Sequence, residues 1–431
     1  MLKRSYQLGK YLLSSGVVLM MGTMPAQADW TLEKSIQYAL QGSPEQQIMH
    51  ASIRAKQADL DTAGTWPNPR ISMRAQNRLG IDSGTGGYNL DQITFTQALP
   101  LWRIHKQQAV ANKILAAEEA GVEQSLLAIQ TEIAQLYYTL LLNHEALILA
   151  KKRLQFTDAI IKGKARGNSG IIRHINPLDQ HRMELLHEQA RYNLHEAEAK
   201  YEELLHSFRL RLQLPEQTQI TLPNIRLAAS PQPVAELQQK LEQQSVIIKN
   251  MEYQLAAKEA GIALEKTKRF GDLELTLTHE KDILAGRRQS FQGISLNIAI
   301  PFWNQGKGSI ARAEAESEQV RAQKAVALRN LSTQLQQNHV HLSHLLEQAR
   351  SFPNKMIEPA EHLLNLTRQS YAVGEVNSIT LIDAYNNYFN ALQRHMNLIY
   401  QSNIAAVSLY HGVGDRDLYQ TQIVTTSGES Q

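Results

Sequence analysis

Four short stretches of the chain alternate apolar and polar positions with a period of two. Ile71, Met73 and Ala75 alternate with Ser72, Arg74 and Gln76, and Ile93, Phe95 and Leu99 with Thr94, Thr96 and Ala98. Further on, Leu273, Leu275 and Leu277 alternate with Glu274, Thr276 and Thr278, and Ile294, Leu296, Ile298 and Ile300 with Ser295, Asn297 and Ala299. Each run predicts a strand with one apolar and one polar face. The linking segments, Gly80 to Tyr88 and Asp282 to Gln289, are rich in Gly, Ser, Asp and Arg and read as water-facing loops. Two environments fit this pattern: a membrane-spanning β-barrel, whose strands need about 9–11 such residues, or soluble hairpins packed on helices. Four strands cannot close a barrel, because the smallest have about 8. The membrane reading therefore requires several chains.

Between and after the strands the period changes to that of long helices. Apolar residues fall at Leu115, Val122, Leu126, Ile129, Ile133, Leu136 and Leu140, the spacing of a left-handed coiled coil. Arg103 to Ala165 contains no proline and would extend about 95 Å as one helix. A matching stretch, Gly306 to Tyr371, carries Pro353 and Pro359, which predict a bend near its far end. Its alanines Ala311, Ala313, Ala315, Ala322, Ala325 and Ala327 permit close helix approach. Each long helix is followed by a turn and a return helix. The first runs from Pro177 to Leu214, with Asn176 as N-cap, Pro177 at the first position and Asp179 in the first turn. The second runs from Ile379 to about His411, after Gly374 as the stop and Ser378 as N-cap, with Leu381, Tyr385, Tyr388, Leu392, Met396 and Ile399 on one stripe.

The order repeats. ITFTQALPLW, beginning at Ile93, returns as ISLNIAIPFW, beginning at Ile294, an offset of about 200 residues that signals a tandem duplication. Each copy opens with a helix, Pro44 to Ala63 and Val234 to Lys268. The expected organisation is a first repeat over 29–214, a connector over 215–233, a second repeat over 234–414 and a polar tail over 415–431. Residues 1–28 read as an export signal: Lys3, Arg4 and Lys10, an apolar run, then Ala26-Gln27-Ala28. Its loss would take the formal net charge from +3 to neutral.

Composition narrows the chemistry. The 431 residues include no cysteine, which excludes disulfides and thiolate metal sites, and only 6% aromatics, which suits long helices. Near-neutral charge argues against a nucleic-acid partner. No phosphate loop, nucleophile elbow or HExxH motif is present, so no enzymatic activity and no cofactor are expected. His341 and His344, three apart in NHVHLSHLLEQ, are weak candidates for a shared metal, while His339 points elsewhere.

The segment YAVGEVNSITLIDAYNNYFNAL, Tyr371 to Leu392, with its Gly374 and the Asp383-Ala384 pair, resembles the helix–turn–helix tip of the TolC family of outer-membrane channel proteins. The preceding FPNKMIEPAEHLLNL and the closing LYHGVG are similar to the branch serving heavy-metal resistance pumps, the CzcC and CusC type. The resemblance implies a mainly helical fold with a small β part. Three chains would contribute four strands each to one twelve-stranded outer-membrane barrel, continued by a trimeric α-helical tunnel. It further implies a homotrimer in outer-membrane lipid, docking onto a periplasmic adaptor and an inner-membrane pump of the resistance-nodulation-division class, with metal cations as cargo. Multidrug efflux and type I secretion are the neighbouring alternatives; an exported coiled-coil structural or adaptor-like protein is the alternative of a different class.

By position in the resemblance, Asp383, Tyr371, Gly374 and Glu375 would gate the tunnel, with Asp383 as a ring of three carboxylates favouring cations. Gly167, Arg173, His174, Asn176, Pro177, Asp179, Val376 and Asn377 would form the adaptor-docking tips. The first tip departs from the pattern: three more residues separate Gly167 from Asp179 than separate Gly374 from Asp383, and Lys162, Lys164, Arg166, Arg173 and His174 make it basic. The lipidated N-terminal cysteine of many family members is absent, so anchoring would rest on the barrel.

Overall fold

The computed structural model describes residues 30–41, 43–76, 90–165, 177–284, 287–416 and 423. The export signal, the loop after β1, the first tip and most of the tail lie outside these residues. Two short helices open the described chain, α1 (Leu32–Leu40) and α2 (Pro44–Ala63). Thr31 and Ser43 cap them by accepting bonds from the Lys34 and Gln46 amides. The first hairpin, β1 (Arg70–Gln76) and β2 (Leu90–Leu99), leads into α3 (Ile104–Ala165) and α4 (Pro177–Arg211). The second copy consists of α5 (Val234–Gln244), α6 (Val246–Lys268), β3 (Leu273–Leu284), β4 (Arg287–Asn297), α7 (Lys307–Phe352), α8 (Glu358–Val373) and α9 (Ser378–Val413).

The strands form one antiparallel sheet in the order β1-β2-β3-β4, so β2 and β3 join the two repeats. Register explains the alternation. Ile71, Phe95, Leu277 and Ile294 are paired across the sheet in one row, as are Arg70, Thr96, Thr276 and Ser295 in the neighbouring row on the other face. On the polar face the Thr96 and Thr276 hydroxyls approach to 3.4 Å. On the apolar face Ile71, Met73, Ile93, Phe95, Leu277, Ile294 and Leu296 are all exposed. No helix covers them, which is incompatible with hairpins packed on helices within the chain.

At the end of the sheet where β1 and β3 begin and β2 and β4 finish, each strand is flanked by an exposed aromatic: Trp66, Trp102, Phe270 and the pair Phe302 and Trp303. Below this rim the helices continue the four columns. Their contacts run α2–α3–α6–α7 near the sheet and α4–α3–α9–α8 away from it. Between α6 and α7 the pairs Lys258–Glu316, Arg321–Glu259 and Lys324–Glu252, each at 2.8 Å, align the charges of two antiparallel helices.

α3 is unbroken over 62 residues, about 90 Å. Leu115, Ile133 and Leu140 of the heptad stripe are buried, but so are Leu127, Ala134, Tyr137 and Leu141 on an adjoining stripe. One seam was legible from periodicity; the buried surface is wider because α1, α2, α4, α6 and α9 all pack on this helix. The main core lies where α1, the middle of α3, the ends of α4 and α9, and residues 215–233 meet. Leu222, Ile225 and Ala228 of that irregular stretch are buried there. It is tied down by Asn403 Nδ2 donating to the Arg226 carbonyl (2.7 Å) and by the Trp30 amide donating to the Thr221 carbonyl (2.7 Å).

Several boundaries differ from expectation. The expected helix from Val234 to Lys268 is broken at Ser245, which is extended and buried because the end of α9 docks there. The Val246 amide donates to the Gly414 carbonyl (2.9 Å), and a Cβ at Gly414, whose φ is +72°, would collide with Ser245 Oγ. Strands β3 and β4 extend into the expected loop Asp282 to Gln289, where Asp282 pairs with Gln289, Ile283 with Arg288 and Leu284 with Arg287. Ile298 and Ile300 fall outside β4, because β3 starts at Leu273 and offers no partner beyond Asn297. α1 gave no signal that was read from the sequence. Pro353 and Pro359 do not break the helix; the chain passes from α7 to α8 through a π turn at Pro353–Ile357. Proline removes the amide that would have bonded the Ala349 carbonyl, and His395 Nε2 of α9 donates to it instead (3.2 Å).

Sheet and helices are clamped by Arg103, which donates through Nε and Nη2 to both carboxylate oxygens of Asp272 at 2.6 Å. The pair joins the start of α3 to the entry of β3 and holds the Arg103 pKa above its ordinary value, chiefly through that hydrogen bond. Replacing Arg103 by Met removes two charge-assisted bonds from a partly buried carboxylate. The expected cost is about 1–3 kcal/mol, read as a lower thermal midpoint of the purified protein, with Arg103→Lys intermediate. An unchanged midpoint would discount the clamp.

Candidate functional site

Far from the sheet, α8 and α9 end in the tip that contains most of the candidate residues. Gly374 has φ +82°, a conformation glycine adopts without penalty. Its amide donates to the Ser370 carbonyl (2.9 Å), and the Glu375 amide donates to the same oxygen (2.8 Å), the closing pattern of a helix C-terminus. The Glu375 carboxylate accepts from Ser370 Oγ (3.1 Å), so this side chain is spent within the turn. Val376 is half-buried, and Asn377 caps α9 by accepting at Oδ1 from the Thr380 amide and hydroxyl, both at 3.0 Å.

The expected N-cap Ser378 is therefore the first helical residue. It is fully buried, and its hydroxyl donates to Asp179 Oδ1 on α4. Arg182 Nη1 approaches the same oxygen at 3.5 Å. Asp179 thus joins the two tips, a pairing that neither tip's own sequence discloses. Pro177 begins α4 and is exposed, next to exposed Leu178. Gly167, Arg173, His174 and Asn176 lie outside the described residues.

Behind the tip is a second core formed by α3, α4, α8 and α9: Leu149, Met183, Leu186, Leu364, Leu381, Ala384, Tyr385 and Phe389, with Tyr371 packed against its edge. Phe156 meets Tyr385 and Phe389 at ring separations of 5.3 and 6.1 Å. Burial pushes the Tyr385 phenol up to about 12, so it is a neutral donor, directed at the Arg153 carbonyl (3.5 Å). Asp383 lies on the opposite side of α9, exposed together with Asn386, Asn387 and Asn390. Asp383 and Tyr371 are consequently on different faces: the first is open, the second packs the hairpin.

Sequence reasoning passed over Arg153. Its guanidinium stands 5.4 Å from the Phe389 ring, and Nη2 reaches Asn390 Oδ1 and Gln393 Oε1 at 3.4 Å. Burial lowers its pKa. The signal was present: Leu149, Arg153 and Phe156 occupy one helical stripe, and an arginine on a core stripe calls for an explanation. The histidine candidates do not assemble. His339 Nε2 lies 3.0 Å from the Gln232 carbonyl, whereas His341 and His344 are exposed. Among the described residues no group of three metal-ligating side chains comes together. No helix among them is long and apolar enough to cross a membrane.

Residues 237–415 match the family described as outer membrane efflux protein. Over 179 residues the chain is 24% identical to the cobalt-zinc-cadmium resistance protein CzcC of Cupriavidus metallidurans, a match covering 41% of this chain and 42% of that relative. The chain thus aligns with less than half of that relative's length. Similarity of fold reaches further. The crystal structure of CusC superposes with a TM-score of 0.69 at 17% identity, covering 90% of this chain and 92% of that one. VceC of Vibrio cholerae gives 0.70 at 16%, covering 89% and 96%. The open-state channel MtrE of Neisseria gonorrhoeae gives 0.69 at 16%, covering 89% and 88%. The second repeat is thus similar in sequence to the outer membrane efflux protein family, and about nine-tenths of the chain shares the fold of these solved channel structures.

Proposed function

We propose that the protein is the outer-membrane exit duct of a tripartite efflux system, working as a homotrimer with a periplasmic adaptor and an inner-membrane pump of the resistance-nodulation-division class. One observation carries this reading: the sheet leaves its apolar face and both edge strands uncovered. In lipid the apolar face needs no cover, but unpaired edges do. Three copies joining β4 to the next β1 satisfy every edge and give a twelve-stranded barrel. The helical arc is open in the same sense. Its end helices, α4 and α8, carry exposed Leu178, Leu185 and Tyr192, and Leu363, Leu366 and Val373, stripes that a neighbouring copy would bury. The aromatic rim of Trp66, Trp102, Phe270 and Trp303 is of the kind that sits at a lipid headgroup boundary. An exported coiled-coil protein without a pore gives no role to that rim or to the bare sheet. Fractionated cells should hold the protein in the outer membrane as a trimer that dissociates on heating; recovery as a soluble monomer would refute the proposal.

Cargo is inferred from the likeness to CzcC, named for cobalt, zinc and cadmium resistance, and from Asp383. Exposed on α9, this carboxylate would form a three-membered ring near the periplasmic mouth and attract cations. Replacing Asp383 with Asn should move the reversal potential of bilayer-reconstituted channels away from cation preference, and identical potentials would exclude the ring. The Ser378–Asp179 bond would hold the tips together in the resting state. Ser378→Ala should therefore raise the open probability in the same recordings; an unchanged open probability would leave the bond without a gating role. Val376, Asn377, Pro177 and Leu178 supply the remaining surface on which an adaptor would dock.

A further inference from the structure

The face of α9 that carries Asp383 changes sign along its length. Asn390 and Arg394 follow on the same side, about 10 and 16 Å from Asp383 at 1.5 Å per residue. At the level of Asn390, Arg153 crosses from α3, held over Phe389 with its Nη2 at Asn390 and Gln393. On the other flank of α9, Arg394 and Lys355 line a groove of about 520 Å³ whose walls include Phe352, Met356 and Leu398. Three cations from three elements, α3, the π turn and α9, therefore occupy one level of one face. Among the described residues none of them pairs with a carboxylate. Other exposed arginines and lysines of the helices commonly do, as in the α6–α7 ladder.

Burying part of a guanidinium without a counter-ion costs free energy. Amide oxygens and an aromatic face offset some of that cost, and they leave the positive charge unneutralised. Within a low-dielectric wall such a charge projects into the adjoining water.

We propose that Arg153, Lys355 and Arg394 form a basic collar on the tunnel wall above the Asp383 ring, and that the collar receives an anionic group of the cargo. A metal ion then passes this level as an anionic complex, such as a polycarboxylate chelate, in place of a bare cation. The proposal rests on the channel reading above and adds the cargo's charge to it. In a trimer the collar contributes nine positive charges against three negative ones at the Asp383 ring, and its apolar groove favours an organic ligand over a simple halide.

The test uses the full-length protein in planar bilayers under a potassium chloride gradient, with citrate added from the helical side as the anionic probe. Substituting Arg153, Lys355 and Arg394 together by Gln should lower the anion-to-cation permeability ratio by about threefold, the effect of roughly half a kT of lost potential acting oppositely on the two ions, and weaken citrate block to a similar degree. Arg394→Gln alone, at an exposed position, should shift both in the same direction by less, and keeps the test open if the triple variant fails to fold. Arg153→Lys should retain wild-type selectivity. Variants that conduct with unchanged reversal potential and unchanged citrate block would overturn the collar while leaving the channel intact. A wild-type protein that forms no pore would overturn the channel reading itself.

Discussion

Backbone hydrogen bonding at the two outer strands is the constraint on which the rest of the architecture depends. β1 and β4 each offer a row of amides and carbonyls that no other segment of the described chain satisfies. In water such edges can be solvated, but the adjoining face carries an exposed apolar row from Ile71 through Phe95 and Leu277 to Ile294, and water is a poor solvent for it. In lipid the face is at home, and the edges then cost several kcal/mol for each unpaired group. Closure with further copies, as proposed above, would satisfy both demands. The helices inherit the solution, because each strand continues into or out of its own helix and the arc is as open as the sheet above it.

Much of this was legible before any coordinates. Period-two alternation named the four strands and assigned their faces, since that signal depends only on which side of a pleat a side chain occupies. The helix read over Pro44 to Ala63 matches α2, the stretch read from Arg103 to Ala165 matches α3 to within a residue, and Pro177 marks the start of α4. Less readable were features decided by distant partners. Nothing around Ser245 announces a helix break, which exists because Gly414, far along the chain, docks against it. Ser378 has the chemistry of a cap, yet it is drawn into the interior by Asp179 of the other hairpin while Asn377 takes the capping role. Heptad spacing on α3 identified one seam, but a helix that touches five others buries more than one stripe.

The tip shows the same division between local and non-local information. Gly374, Glu375 and Asn377 act within the turn, and the helix stop at Gly374 was legible from the sequence. Asp383 and Tyr371 are near one another in sequence, yet they are separated by the helix they flank, one facing solvent and one closing the core of α3, α4, α8 and α9. Arg153 belongs to neither tip by sequence, although it reaches the α9 face that carries Asp383. A residue-by-residue transfer of roles along a motif would overlook it.

The π turn at Pro353–Ile357 has a geometric effect well beyond its five residues. A π turn takes in one residue more than an α turn, so it rotates everything after it by about 100° relative to an uninterrupted helix. Side chains that would have continued the α7 face come out on another side of α8. α7 already packs on α6 beside the sheet and on α9 further along, and the phase change falls where α8 takes over the packing on α9 without a loop. The His395 bond to the Ala349 carbonyl holds the rod at the point where its phase changes.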